Sequence, residues 1–301
     1  MSNGVLIINK PSGLTSHDVV NLVRRLLQQR SVGHLGTLDP LATGVLPLVV
    51  GSMTRLAQFY TSAEKTYEGT IRFGFATDTY DADGEPLAEP KAVVLSMPGL
   101  RELARGFQGL IEQMPPPFSA KKIKGVPAYK LARKKLETHL SSVKVKVEEF
   151  EILNLEGNRA FFRARVASGT YMRSIAHDMG QRMGCGAHLE SLCRTSAGNF
   201  KLAEAHTLEE LQAAAPDRLG EMFVRPRMLL PGIPSITAND EMAEKIRSGL
   251  SVNLPEFSQA PRVKVFYGQS ELIAIATRIA GTLFHAKIVL TGNAVGQTSS
   301  K

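Results

Sequence analysis

Two stretches of this 301-residue chain bring together residue types that do chemistry. The first, Gly33-His34-Leu35-Gly36-Thr37-Leu38-Asp39-Pro40-Leu41-Ala42-Thr43-Gly44-Val45-Leu46-Pro47-Leu48, sets three glycines and two prolines around one histidine and one aspartate. Such an irregular backbone can present a carboxylate for nucleophilic or acid–base work. Asp followed by Pro is also a favoured start of a helix, so Asp39 reads either as a cap or as a catalyst. Gly44 and Pro47 hold any helix here to about one turn, which leaves a cap little to stabilise. The second stretch, Ser168-Gly169-Thr170-Tyr171-Met172-Arg173, lies where a strand pattern gives way to a helical one. A helix N-terminus disfavours a cation by about 0.3–1 kcal/mol, and a nearby carboxylate would offset that cost. Without one, Arg173 is an ordinary surface arginine.

Other candidates are weaker. Thr79-Tyr80-Asp81-Ala82-Asp83-Gly84 resembles half of a calcium loop but begins with Thr and has Pro90 where a bidentate Glu is needed, so it reads as a polar or site-adjacent turn. Tyr67 on a strand pattern is by default a core or interface aromatic, and His177 and His188 read as structural or surface residues. Cys185 and Cys193 lack Cys-x-x-Cys spacing and read as reduced thiols in or near a helix. With no zinc constellation, phosphate-binding loop or dinucleotide fingerprint, no metal and no organic cofactor is expected.

The net charge of +8 makes polyanions natural partners. Residues 119–173 hold 13 Lys and Arg against 5 Glu, so this stretch equals the whole excess. Lys121, Lys122, Lys124, Lys130, Arg133, Lys134 and Lys135 crowd together with Tyr129 and no acid. A solvated face is one reading; a surface that releases counterions from a phosphate backbone is the other, and the missing acids favour it. The best apolar run, Val45–Val50, is too short to span a bilayer, and no basic segment precedes a long apolar one at the start, so a cytoplasmic protein without membrane contact is expected.

The elements that must position these groups follow from periodicity and breakers. Gly4–Asn9 reads as a buried strand, and Ser16 as the cap of a helix through Val19, Val20, Val23, Leu26 and Leu27. Gly33–Gly44 reads as a loop, Val45–Val50 as a helix or buried strand, Lys65–Phe75 as a strand and Thr77–Glu85 as a polar loop. Leu100–Ile111 reads as a helix with Leu103, Phe107 and Leu110 on one face. After the break at Met114-Pro115-Pro116-Pro117 come the basic stretch, strands Val143–Leu155 and Arg159–Ala167, and a helix Met172–Met183. Pro231-Gly232-Ile233-Pro234 reads as a boundary before a small β-rich unit, with a helix Glu241–Leu250 and strands Arg262–Phe266, Glu271–Thr277 and Leu283–Leu290. Strands and helices without strict alternation give an α+β class for the larger part.

In order, Gly4–Gly13, the Gly33–Pro47 loop, Glu64-Lys65-Thr66-Tyr67, Asp78–Gly84, Pro116-Pro117-Phe118-Ser119-Ala120-Lys121-Lys122, Gly169–Arg173 and Gly184-Cys185-Gly186-Ala187-His188-Leu189 resemble the bacterial tRNA pseudouridine synthase B (TruB) family. The resemblance implies isomerisation of uridine 55 in the T loop of tRNA to pseudouridine, on a base flipped out of its stack, without a cofactor or guide RNA. It also implies a catalytic domain over residues 1–232, a thumb-like basic insertion at about 114–140, and a PUA-like RNA-binding domain over 233–301. Asp39 matches the catalytic aspartate, Arg173 the arginine paired with it, and Tyr67 the tyrosine that stacks on the flipped base. His34 matches a residue filling the space that flipped bases vacate. Tyr171 and Leu192 match further pocket residues, and Lys10 one that supports Tyr67 or the nucleotide. Lys121, Lys122 and Lys124 would meet the T-arm phosphates, and a monomer is expected. Two other readings remain: a tRNA-binding and folding protein with secondary or lost catalysis, and a guide-dependent synthase, whose relatives lack such a thumb. Glycoside hydrolysis with Asp81 as second acid fits poorly.

Overall fold

The computed structural model describes residues 3–119, 122–123, 126–127, 140–215 and 218–290, without side chains at 122–123 and 126–127. Its strands are β1 Gly4–Lys10, β2 Val32–His34, β3 Thr43–Val50, β4 Lys65–Phe73, β5 Gly109–Gln113, β6 Lys122–Ile123, β7 Val126–Pro127, β8 Val143–Glu156, β9 Arg159–Val166, β10 Ala187–Ala197, β11 Phe200–Lys201, β12 Ser235–Ala238, β13 Ser251–Asn253, β14 Arg262–Tyr267, β15 Glu271–Ala280 and β16 Leu283–Val289. The helices are α1 Ser16–Leu26, α2 Met97–Arg105, α3 Met172–Arg182, α4 Leu208–Ala213 and α5 Asp240–Arg247. A nine-stranded sheet runs in the order β1-β3-β10-β4-β9-β8-β5, with β2 on β3 and β11 on β10. A five-stranded sheet, β12-β14-β15-β16-β13, follows in the chain. The class is α+β.

Strand patterning explains the two layers. Leu6, Ile8, Leu46, Leu48 and Val50 face one core with α1 and α3, while Val5, Ile7, Val45 and Val49 face a second core. Because both faces are covered, β1 and β3 read as unbroken apolar runs. The second core takes Phe266, Leu272, Ile275 and Ile288 from the five-stranded sheet, which is thereby seated on the back of β1 and β3. Pro47 is tolerated within β3 because it lies opposite Leu35, just past the end of the β2 ladder, where its carbonyl accepts from the Leu35 amide and only the return donor is missing. On β9, Phe162, Ala164 and Val166 are buried. The alternate residues Arg159, Arg163 and Arg165 pair with Glu190, Glu68, and Glu64 and Glu149. Part of the basic excess counted in the sequence is therefore neutralised across the sheet.

Four readings need correction. The helix expected over Leu100–Ile111 stops at Arg105, and Gly109, at φ +88°, turns the chain into edge strand β5. Leu110 is 71% exposed, off the apolar face assigned to it. Thr15, not Ser16, caps α1, in a capping box with Asp18. The central strand β10 was not anticipated, and Cys193 lies on it rather than by a helix. Bulges at Leu189/Ser191 and Arg194/Ser196 break its period of two, which hides the strand from pattern reading.

Gly44 sits where β3 meets β10, at φ +96°, and a Cβ there would overlap the Arg194 carbonyl. Gly44→Ala is expected to destabilise the fold by about 2–3 kcal/mol, seen as a lower urea midpoint at unchanged slope.

Candidate active site

The backbone around Asp39 is tied down carbonyl by carbonyl. Arg194 from β10 donates to the carbonyls of Gly36 at 3.0 Å and Thr37 at 3.3 Å. The Ser16 hydroxyl, freed from capping, accepts from the Leu38 amide at 2.8 Å and donates to the Leu38 carbonyl at 3.1 Å. Lys10 Nζ reaches the Pro40 carbonyl at 3.2 Å and those of Pro11 and Leu14 at 2.8 and 2.6 Å. Burial pulls the Lys10 ammonium down to about 8, against the opposing pull of Asp39. Asp39 thus projects from a loop pinned on both sides, and the loop has too little helix for a cap to matter.

Its partner is Arg173 at the start of α3. Nη2 of Arg173 donates to Asp39 Oδ1 at 3.1 Å, and Nε lies 2.9 Å from Oδ2. Nε forms no aligned hydrogen bond, so that approach is ionic rather than directional. The rest of the guanidinium is held by the Thr79 carbonyl at 2.9 Å, the Phe118 carbonyl at 3.0 Å and Asp81 Oδ2 at 3.2 Å. The Arg173 side chain is 6% exposed and that of Asp39 36%, so the cation is sunk and the carboxylate presented. Two carboxylates supply the offset that a cation at this helix start requires. Asp81 is itself fixed, Oδ1 accepting from Thr79 Oγ1 at 2.6 Å and the Asp83 amide at 3.2 Å. Tyr80 between them has φ +67° and stacks on His177 of α3 with ring centroids 3.8 Å apart. The stack holds the strained turn against the helix that carries Arg173.

Asp39 and Arg173 open onto a cavity of about 220 Å³, lined also by Lys65, Tyr67, Ser119, Tyr171, Leu192 and Arg194. Tyr67 on β4 stands directly opposite Arg194 on β10. Tyr171 precedes α3, and the Gln113 side-chain amide bonds its backbone N–H and C=O at 2.8 and 2.9 Å. Burial raises the Tyr171 phenol above its ordinary value. Lys10 is absent from the cavity lining, and its ammonium is taken up by carbonyls, among them that of Pro40 beside Asp39. His34 is half-buried at the end of β2, off the cavity wall, where Nδ1 accepts from the Gly36 amide at 3.4 Å and burial lowers its basicity. Lys121 and Lys124 lie outside the described residues, as does the Lys122 side chain. Among the described residues, no three His, Cys, Asp or Glu converge as a metal site, and no helix is long and apolar enough to cross a membrane.

Comparisons with known proteins place the chain that carries this site. The profile of the TruB family pseudouridylate synthase N-terminal domain matches residues 24–172, and that of the tRNA pseudouridylate synthase B C-terminal domain matches 173–230. "tRNA pseudouridine synthase B" of Solibacter usitatus (strain Ellin6076) is 48% identical over 292 residues, covering 96% of this chain and 100% of that one. The chain belongs to the TruB family. It is a pseudouridine synthase, an isomerase. The protein of the same name from Geobacillus thermodenitrificans (strain NG80-2) is 41% identical over 265 residues, 85% of this chain and 88% of its own. Among solved structures, a chain of "Crystal Structure of a Cbf5-Nop10-Gar1 Complex" aligns with TM-score 0.69 at 25% identity, over 93% of this chain and 79% of its own. A chain of "Structure of H/ACA RNP bound to a substrate RNA containing 2'-deoxyuridine" shares the fold at TM-score 0.70 and 23% identity, over 96% of this chain and 85% of its own.

Sequence reasoning placed Asp81 in a site-adjacent turn without pairing it to Arg173, and gave Lys65 and Arg194 no role. The failed calcium pattern drew attention away from Asp81, yet two acids in a tight turn were the visible sign of a partner for Arg173. Removing Asp81 takes away the more buried of the two carboxylates on Arg173 and leaves Asp39 to hold the cation alone. Asp81→Asn is therefore expected to cost about 3 kcal/mol of stability and to lower single-turnover isomerisation more than about tenfold by loosening the grip on Asp39. Urea unfolding and a rapid-quench time course check the two effects, and an unchanged rate would remove Asp81 from the catalytic assembly.

Proposed function

We propose that this enzyme converts uridine 55 in the T loop of tRNA to pseudouridine, in the cytoplasm, as a monomer and without guide RNA or cofactor. The observation that carries the reading is the exposed Asp39 carboxylate fixed to buried Arg173 in a cavity floored by Tyr67 and Leu192. Relatives named for the tRNA reaction match over nearly the whole chain. The target base leaves its stack at a cost of a few kcal/mol and enters the cavity, where Tyr67 offers its ring and Leu192 and Tyr171 their apolar surface. His34 fills space the flipped bases leave behind. Each route starts from the carboxylate that Arg173 holds in place: attack on C1′, attack on C6, or removal of the C2′ proton towards a glycal. The ring then turns and rejoins the ribose through C5.

The stem is held by charge. Lys121, Lys122 and Lys124 in the thumb-like insertion at about 114–140 meet T-arm phosphates, and the sheet within residues 233–301 acts as a PUA-like second RNA contact. Phosphate contacts position the stem, while stacking and shape select the loop.

Tritium at C5 of a T-arm hairpin is released only when C5 forms the new bond. Wild-type enzyme is expected to release it with no other RNA present, and Asp39→Asn to release none while its Kd for the hairpin stays within about threefold. Release by Asp39→Asn would sink the assignment of Asp39, and binding without release by either protein would favour an RNA-folding role or a guided enzyme. Neutralising Lys121, Lys122 and Lys124 is expected to flatten the dependence of log K on log salt by about one unit for each phosphate no longer met by a cation. An unchanged slope would return them to a solvated face.

A further inference from the structure

Two of the cations around the cavity have no carboxylate. Arg173 is matched by Asp39 and Asp81, and the three donors of Lys10 each meet a carbonyl off the cavity wall. Lys65 and Arg194 differ. Both line the cavity, they are 7% and 1% exposed, and among the described residues neither forms an ion pair. Lys65 Nζ has one bond, to the Ala63 carbonyl at 2.7 Å. Arg194 has five N–H donors, and its bonds run to the carbonyls of Val45, Thr37 and Gly36. Among the described residues, one hydrogen on each of its terminal nitrogens finds no partner, nor do two on Lys65. A Cβ on Gly36 would stand 3.6 Å from Arg194 Nη1 and 3.8 Å from Lys65 Cε, so the two side chains converge on one spot.

Burying two neighbouring cations without an anion is costly, and a site that keeps them is built for negative charge arriving from outside. We infer that Lys65 and Arg194 receive the negative charge that builds on the uracil ring while its bond to the ribose is exchanged. The inference rests on the reaction proposed above. A phosphate stays with the chain at the mouth, whereas the base goes deepest, and these cations lie beside Tyr67, on which the base stacks. Lys65 is two residues from Tyr67 on β4, hence on the same face, and Arg194 stands directly opposite it.

The charge arises whichever route Asp39 takes. When the C1′–N1 bond breaks, both electrons go to the ring, and the uracil anion carries them on N1, O2 and O4. Asp39 bonds to C1′, or takes the C2′ proton; addition of Asp39 to C6 instead places the pair on C5 and O4. C5 then bonds to C1′, the Asp39 bond or proton is returned, the C5 proton leaves to solvent and N1 takes one up. Nothing is oxidised. Fixed cations at the ring oxygens act in the transition state more than in the ground state, where the ring is neutral.

The titratable and charged groups that share the cavity wall with Lys65 are Arg194 from β10, Asp39 from its loop, Arg173 from α3, Tyr171 just before it, and Tyr67 on β4; adjacent Glu64 turns outward to Arg165. Burial, then Arg194, brings the Lys65 ammonium down to about 8. A lowered lysine is charged below that pH and neutral above it, so charge on the cavity wall is lost as pH rises through about 8.

The test is single-turnover tritium release from the C5-labelled hairpin, with the full chain in excess. Lys65→Met, which keeps length and removes charge, is expected to slow release about 100-fold while Kd stays within about threefold. Wild type is expected to lose rate above pH 8, and Lys65→Arg to recover most of the rate and abolish that fall, because a guanidinium does not titrate there. Lys65→Met releasing at the wild-type rate would overturn the inference, as would a loss confined to Kd, which would make Lys65 a phosphate contact. A fall near pH 8 persisting in Lys65→Arg would assign that titration to Lys10 and also overturn it. Should Lys65→Met lack a native urea transition, the pH profile of Lys65→Arg decides alone. Silence from wild type would instead defeat the proposed function itself.

Discussion

A guanidinium cannot shed its charge, and Arg173 is buried with that charge in place. Everything around it answers to this constraint. Asp39 and Asp81 neutralise it from two loops, the carbonyls of Thr79 and Phe118 take its remaining hydrogens, and the Tyr80–His177 stack keeps one loop against the helix. Arg173 in turn fixes the Asp39 carboxylate in position. The buried pair is therefore a positioning device more than a source of stability, since the desolvation of two charges consumes most of their attraction.

The Asp39 loop shows how a carboxylate is preorganised without regular structure. Carbonyls that point away from any ladder are collected by Ser16, Lys10 and Arg194, which sit on α1, β1 and β10. Three elements distant in the chain thus agree on the place of one residue. Few orientations remain to be lost when the substrate arrives, which is how an enzyme gains effective concentration at the reacting atoms.

The legible part of this molecule was what local chemistry writes into local sequence. Glycines and prolines around Asp39 marked an irregular loop, alternation marked β9, and the strand-to-helix junction marked Arg173 as a cation in need of an anion. The family resemblance, not composition, supplied Tyr67, Tyr171 and Leu192. What stayed hidden depends on distance or on broken periods. No spacing says that Asp81 folds back onto Arg173, or that Ser16 gives up its cap to Thr15 in order to hold Leu38. The bulges of β10 removed the alternation that would have exposed it, and Arg194 was hidden with it. Leu110 was misplaced because a helical period was extended past Gly106 and Gly109, which end α2 and start β5.

The place of β10 also sets an order of events at the ribosome. It lies between β3 and β4, parallel to one and antiparallel to the other, yet it begins at Ala187, more than a hundred residues after β4 ends at Phe73. At roughly 5–20 residues per second, the two half-sheets wait on the order of ten seconds for the strand that joins them. During that interval β3 and β4 present open edges, and the pinned Asp39 loop lacks Arg194. The cavity stays incomplete until that strand is made, and the exposed edges are the surfaces for which early chaperone contact would matter most.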